Sequence, residues 1–185
     1  MKADKKVMTI PNMLSILRLG LIPIILWLYL RAERYILSGV MLILSGITDV
    51  VDGYVARRYD MTSDLGKVLD PIADKATQGA VIIMLSVRFP LMLIPLTVGL
   101  VKEVFMAISG YMVIKRRDIV LGAEWHGKVA TFVLTAVMLI HLVWYRIDAI
   151  TSALLICLSA AVILISFVLY AKRNFEYLLN GHKVE

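Results

Sequence analysis

The chain has 185 residues, of which 60% are hydrophobic and 18% charged, and its mean hydropathy is +0.82. That balance excludes an ordinary soluble domain and leaves an integral membrane protein, with room for about six spans of roughly 20 residues each. The net charge of +6 sits between apolar runs, which points to anionic lipid surfaces and away from nucleic acid.

In chain order, Lys2, Lys5 and Lys6 precede an apolar stretch. Leu30, Arg31, Ala32 and Glu33 form no small-residue cleavage site, so the stretch is expected to be a retained first span. The uncharged cores run over 19–30, 35–48, 76–87, 89–101, 129–145 and 149–171. The second and third, at 14 and 12 residues, are too short to cross about 30 Å of hydrocarbon. Helix two is therefore expected to continue from about Arg34 to Tyr59, and helix three from about Leu65 to Val87. Helix four has to pass through Lys102 and Glu103, which read equally as a structural pair or as part of an acceptor site. Pro23 and Pro95 are expected to kink their helices. His126 and His141 read as non-ligands, and the lone Cys157 as a packing residue. The expectation is an all-α integral membrane protein, a bundle of six transmembrane helices forming one domain over 1–185.

Counting Lys and Arg gives the orientation, because the positive excess marks the cytoplasmic side. With six spans, 13 fall on one side (Lys2, Lys5, Lys6, Arg57, Arg58, Lys67, Lys115, Arg116, Arg117, Lys128, Lys172, Arg173, Lys183) and four on the other (Arg31, Arg34, Arg88, Arg146). Both termini are thus expected in the cytoplasm. Trp27, Tyr29, Trp144 and Tyr145 read as anchors at the opposite interface.

Four carboxylates, Asp49, Asp52, Asp70 and Asp74, interrupt this oily sequence at helical spacing. A charge within a membrane segment costs at least about 2.5 kcal/mol, so four of one sign require a compensating cation or a wet cavity. At 100° per residue each pair lies on one helix face. If the two faces meet, they make an all-oxygen site suited to Mg²⁺ or Mn²⁺ rather than to structural zinc. Gly53 and Ala56 remove bulk from the same face, and Arg57 supplies a planar cationic fork suited to phosphate. Such a set could also line a cation pathway in a transporter.

The full pattern, Asp49, Asp52, Gly53, Ala56, Arg57, Gly66, Asp70 and Asp74, resembles the signature of the CDP-alcohol phosphotransferases at every fixed position. The opening Ile10, Pro11, Asn12, Ser15 and Arg18 extends the likeness. The resemblance implies an enzyme of phospholipid biosynthesis in the cell membrane, with its active site on the cytoplasmic side. There an alcohol would attack a CDP-linked lipid, CDP-diacylglycerol, and displace CMP. It implies two divalent ions held by Asp49, Asp52 and Asp70, Asp74 as general base and further metal contact, and a homodimer. Gly53, Ala56, Arg57, Gly66, Asn12 and Arg18 become candidate substrate-binding residues, although Asn12, Ser15 and Arg18 could equally cap and anchor the first helix.

Within the family, the Leu65 to Lys75 segment and Gly127, Lys128 and Thr131 resemble phosphatidylglycerophosphate synthases, which use glycerol 3-phosphate. A phosphorylated acceptor needs cations beside the metals, and Lys128 is the preferred candidate among Lys102, Arg116, Arg117 and Lys128. That subfamily typically carries Arg where this chain has Lys102, which keeps cardiolipin synthase, with phosphatidylglycerol as acceptor, as the alternative.

Overall fold

The computed structural model describes residues 9–59, 64–117, 119, 121–122 and 124–180. Lys2, Lys5, Lys6 and Lys183 lie outside them, as do the side chains of Arg57, Lys67 and Arg117. Regular structure among the described residues is wholly helical: α1 (Ile10–Leu30), α2 (Tyr35–Arg58), α3 (Asp64–Ser86), α4 (Leu93–Arg117), α5 (Trp125–Val143) and α6 (Ala149–Asn180), with a 3-10 turn at Pro90–Met92. Five of the six are long and apolar enough to cross a membrane, and the chain is an all-α membrane protein. The exception is α3, which has the length at 23 residues but carries Asp64, Lys67, Asp70, Asp74 and Lys75 in its first half.

Local chemistry sets the helix ends. Thr9 caps α1, its Oγ1 accepting the Asn12 N–H at 3.4 Å, with Pro11 in the first turn, where a missing N–H costs nothing. Pro23 lies in the interior of α1, but Pro95 falls in the first turn of α4 and so interrupts no helical bond there. Asp148 caps α6 by accepting the Thr151 N–H at 2.8 Å, and this bond holds its carboxyl below the usual carboxylate range. The last helix does not stop at the end of its apolar core but continues through Lys172 and Arg173 to Asn180.

The backbone forms two compact units. The first contains α1, α2, α3 and Met138–Arg146 at the end of α5. In it, α1 packs along both α2 and α3. On α2 the buried residues Ser38, Leu42, Ser45 and Asp52 recur every three to seven positions, so one face is turned inward. The two serines keep that face thin, and the Ser38 hydroxyl donates to the Ile25 carbonyl of α1 at 3.2 Å. Gly39 admits the end of α5, since a Cβ there would lie 2.9 Å from Val143 Cγ2.

An aromatic stack gathers the helix ends of this unit: Tyr29 lies edge-on to Tyr35, Tyr35 stacks on Tyr145 at 4.3 Å, and the Arg88 guanidinium covers Tyr145 at 3.8 Å. Tyr29 is thereby buried rather than free to anchor in the interface, whereas Trp27 and Trp144 are exposed.

The second unit comprises the chain from Phe89 to Val137 and from Ile147 onward. Here α4 packs on α6, with Phe105 edge-on to Phe167 at 5.2 Å. Buried Asn174 donates from Nδ2 to Ser109 Oγ at 2.7 Å.

Candidate active site

The inward face of α2 that carries Ser38, Leu42 and Ser45 continues, at the same spacing, into Asp49 and Asp52. Packing that places small residues against α1 near one end of the seam therefore places carboxylates against α1 near the other. The partner is Arg18, 2% exposed. Its Nη1 lies 2.5 Å from Asp49 Oδ1 and its Nη2 donates to Asp52 Oδ2 at 2.6 Å. Asp52 is buried, while the Asp49 side chain remains 47% exposed. The Arg18 Nε and Nη1 are buried with no hydrogen-bond partner among the described residues, so Asp49 is held by charge alone and Asp52 by a hydrogen bond as well.

The third carboxylate reaches α1 by a different residue. The Ser15 hydroxyl, one turn before Arg18, donates to Asp70 Oδ1 of α3. Its oxygen also lies 3.1 Å from the Pro11 carbonyl, and a single hydroxyl proton serves only one acceptor at a time. Asp70 is close enough to Asp52 for their charges to interact. Asp74 follows one turn along α3 and is half-buried. Gly66 and Asn12 are buried, and Gly53 and Ala56 half-buried. The carboxylates of α2 and α3 thus meet across α1, through Arg18 and Ser15.

Oxygen is the only donor type in this set, which fits a hard divalent cation. Among the described residues, no three carboxylates or histidines converge to metal-ligand distance; Arg18 and Ser15 hold the oxygens of Asp49, Asp52 and Asp70 instead.

A second polar cluster lies in the other unit, around Tyr170. The Tyr170 hydroxyl accepts the Glu124 N–H at 2.8 Å, and its ring fills the space that a Cβ on Gly127 would need. Arg173 lies 4.9 Å over that ring and donates from Nη1 to Glu124 Oε1 at 2.6 Å and to the Gly122 carbonyl at 3.0 Å. Lys102, 8% exposed, places its Nζ 5.5 Å from the same ring and 3.9 Å from Glu103 Oε1. His126 Nδ1 is 3.1 Å from Ser166 Oγ. Lys128 is exposed on α5.

Sequence reasoning singled out neither Tyr170 nor Arg173 nor Glu124 for this role. The available signal was a set of polar residues, Tyr170, Lys172, Arg173 and Asn174, at the end of a long apolar run.

Apolar helices and a carboxylate-rich seam along α1 define a polytopic membrane protein. The sequence profile of one family, described as CDP-alcohol phosphatidyltransferase, matches residues 8–173. The chain belongs to that family.

Among its relatives, the CDP-diacylglycerol--glycerol-3-phosphate 3-phosphatidyltransferase of Rickettsia bellii is 43% identical over 105 residues, 56% of this chain and 56% of its own. The cardiolipin synthase (CMP-forming) of Streptomyces coelicolor is 45% identical over 78 residues, 38% of this chain and 35% of its own. The human cardiolipin synthase (CMP-forming) is 36% identical over 112 residues, 60% of this chain and 36% of its own. The chain spans about half the length of the first of these relatives, and less of the other two.

Proposed function

We propose that the protein transfers a phosphatidyl group from CDP-diacylglycerol to an alcohol, with glycerol 3-phosphate as the preferred acceptor, and releases CMP. The observation that carries this reading is the carboxylate set of α2 and α3 gathered on α1 in a chain of this family. Asp49, Asp52, Asp70 and Asp74 would hold Mg²⁺ or Mn²⁺. Bound there, the divalent ions would supply neutralisation of the diphosphate and of the departing phosphate charge.

The remaining roles belong to the chain itself. Asp74 takes the proton of the acceptor hydroxyl as its oxygen bonds to the phosphatidyl phosphorus and the bond to CMP breaks. Gly53, Ala56 and Gly66 keep the approach to the backbone open. Asn12, Arg18 and Arg57 contribute polar contacts to the nucleotide lipid. Buried Lys102 and half-buried Arg173, with Lys128 at the surface, are suited to the acceptor's own phosphate. The reading includes a homodimer in the cell membrane, with termini and active site in the cytoplasm.

Likeness to cardiolipin synthases supports a second reading, with phosphatidylglycerol as acceptor. The deciding experiment supplies purified protein with Mg²⁺, CDP-diacylglycerol and each of glycerol 3-phosphate, phosphatidylglycerol, inositol phosphate and serine. CMP release with glycerol 3-phosphate, lost on chelation, is expected. Release with phosphatidylglycerol alone selects the second reading. No CMP with any acceptor sinks both, and leaves the acidic set to a carrier.

A further inference from the structure

Arg18 brings one delocalised charge to two carboxylates on the neighbouring helix, at 2.5 and 2.6 Å, in a position 2% exposed. A divalent ion bound about 2.1 Å from these carboxylates would bring its charge to roughly 4 Å from the guanidinium, and like charges at that distance in a buried site repel, so the fork and the ion compete for the same pair. Arg18 also keeps Nε and Nη1 buried without a hydrogen-bond partner among the described residues, its contact with Asp49 being an ion pair that lacks hydrogen-bond geometry, so the fork is not fully satisfied where it sits.

We infer that Arg18 is a placeholder cation: it balances Asp49 and Asp52 until a divalent ion arrives, and binding of the ion exchanges the guanidinium for the metal. The inference rests on the metal-binding reading proposed above and adds a positioning role for a residue of α1. Ser15 acts in parallel at Asp70, where releasing its hydroxyl from the carboxylate leaves it the Pro11 carbonyl at 3.1 Å as acceptor. Both exchanges start on the same α1 turn, so ion binding resets the contacts of α1 with α2 and α3 together.

Two consequences can be measured without assaying turnover. Removing the placeholder removes the competitor, so Arg18→Gln should bind Mn²⁺ at least tenfold more tightly than the unaltered protein, read from free Mn²⁺ by electron paramagnetic resonance. Without the ion, the same variant should melt at a lower temperature, because Asp52 stays buried without its counter-charge. Arg18→Lys keeps a charge without the fork and should fall between the two. Should Arg18→Gln fail to fold, the unaltered protein labelled with ¹⁵N-arginine supplies the second measurement. Slowly exchanging Nη protons of Arg18 should be visible without Mg²⁺ and lost when it saturates.

Mn²⁺ affinity unchanged or weakened in Arg18→Gln, or Nη protons still protected in saturating Mg²⁺, overturns the exchange alone. No Mn²⁺ binding by the unaltered protein overturns the metal reading and the exchange with it.

Discussion

The two units each carry a polar cluster, the first dominated by carboxylates and the second built of cations paired with glutamates. In the first, the carboxylates belong to one short motif and need only helical periodicity to share a face. Their partners, Ser15 and Arg18, come from another helix 55 and 34 residues away. In the second, the members come from three separate stretches of chain: Arg173 meets Glu124 across 49 residues, and Asn174 meets Ser109 across 65. The lesson is that one cluster is declared by spacing, whereas the other exists only once α4, α5 and α6 have packed.

The comparison predicts a division of labour that mutation can break. The largest effect belongs to the acidic cluster: Asp49→Asn or Asp70→Asn should lower CMP release at least about a hundredfold, the scale of losing a group that stabilises transferred charge. Chelation should have the same result in the unaltered protein. The Tyr170 cluster should act on the acceptor only. Arg173→Ala is expected to raise the KM for glycerol 3-phosphate about tenfold, for loss of one charged contact, with the KM for CDP-diacylglycerol little changed. A rise in both would dissolve the distinction. Lys128→Ala, at an exposed site, should show the same selectivity with a smaller rise.

Two stability measurements sharpen it further. Gly127→Ala drives a methyl into the Tyr170 ring and should cost about 1–3 kcal/mol, the usual range for overpacking, seen as a lower melting temperature in detergent. The smallest effect is expected at the Asp148 cap. Its carboxyl titrates below the usual range in the folded chain because the Thr151 N–H binds the charged form. The cap therefore contributes above the unfolded pKa near 3.9 and is lost as pH falls through the lower folded value. Asp148→Ala should melt slightly below the unaltered protein at pH 7 and coincide with it in strong acid.

Much of the fold was legible because apolar runs in a membrane protein leave few alternatives to helices. The expected ends of helices two and three differ from Tyr35–Arg58 and Asp64–Ser86 by a residue. What escaped has physical causes. Five charges in the first half of α3 lower its apolarity below that of the other helices, although its length suffices. Pro95 was misplaced because the Phe89–Val101 core conceals a 3-10 turn at Pro90–Met92, which delays the helix start. That Asp49 and Asp52 share one face of α2 could be read from periodicity, but the insertion of Arg18 between them could not. Which residue of α1 faces α2 depends on the rotation and slide of two helices, and neither is encoded in spacing within one.

α6 has 32 residues, about 48 Å of helix against about 30 Å of hydrocarbon. Counted from its Asp148 cap, that hydrocarbon accounts for about 20 residues, and the remaining third carries Tyr170, Arg173 and Asn174. The helix is thus a mast stepped in the membrane, with its basic turn held aloft at a height set by lipid tail length. Reconstitution into thicker bilayers draws that turn toward oil, making membrane thickness a lever on the Tyr170 cluster.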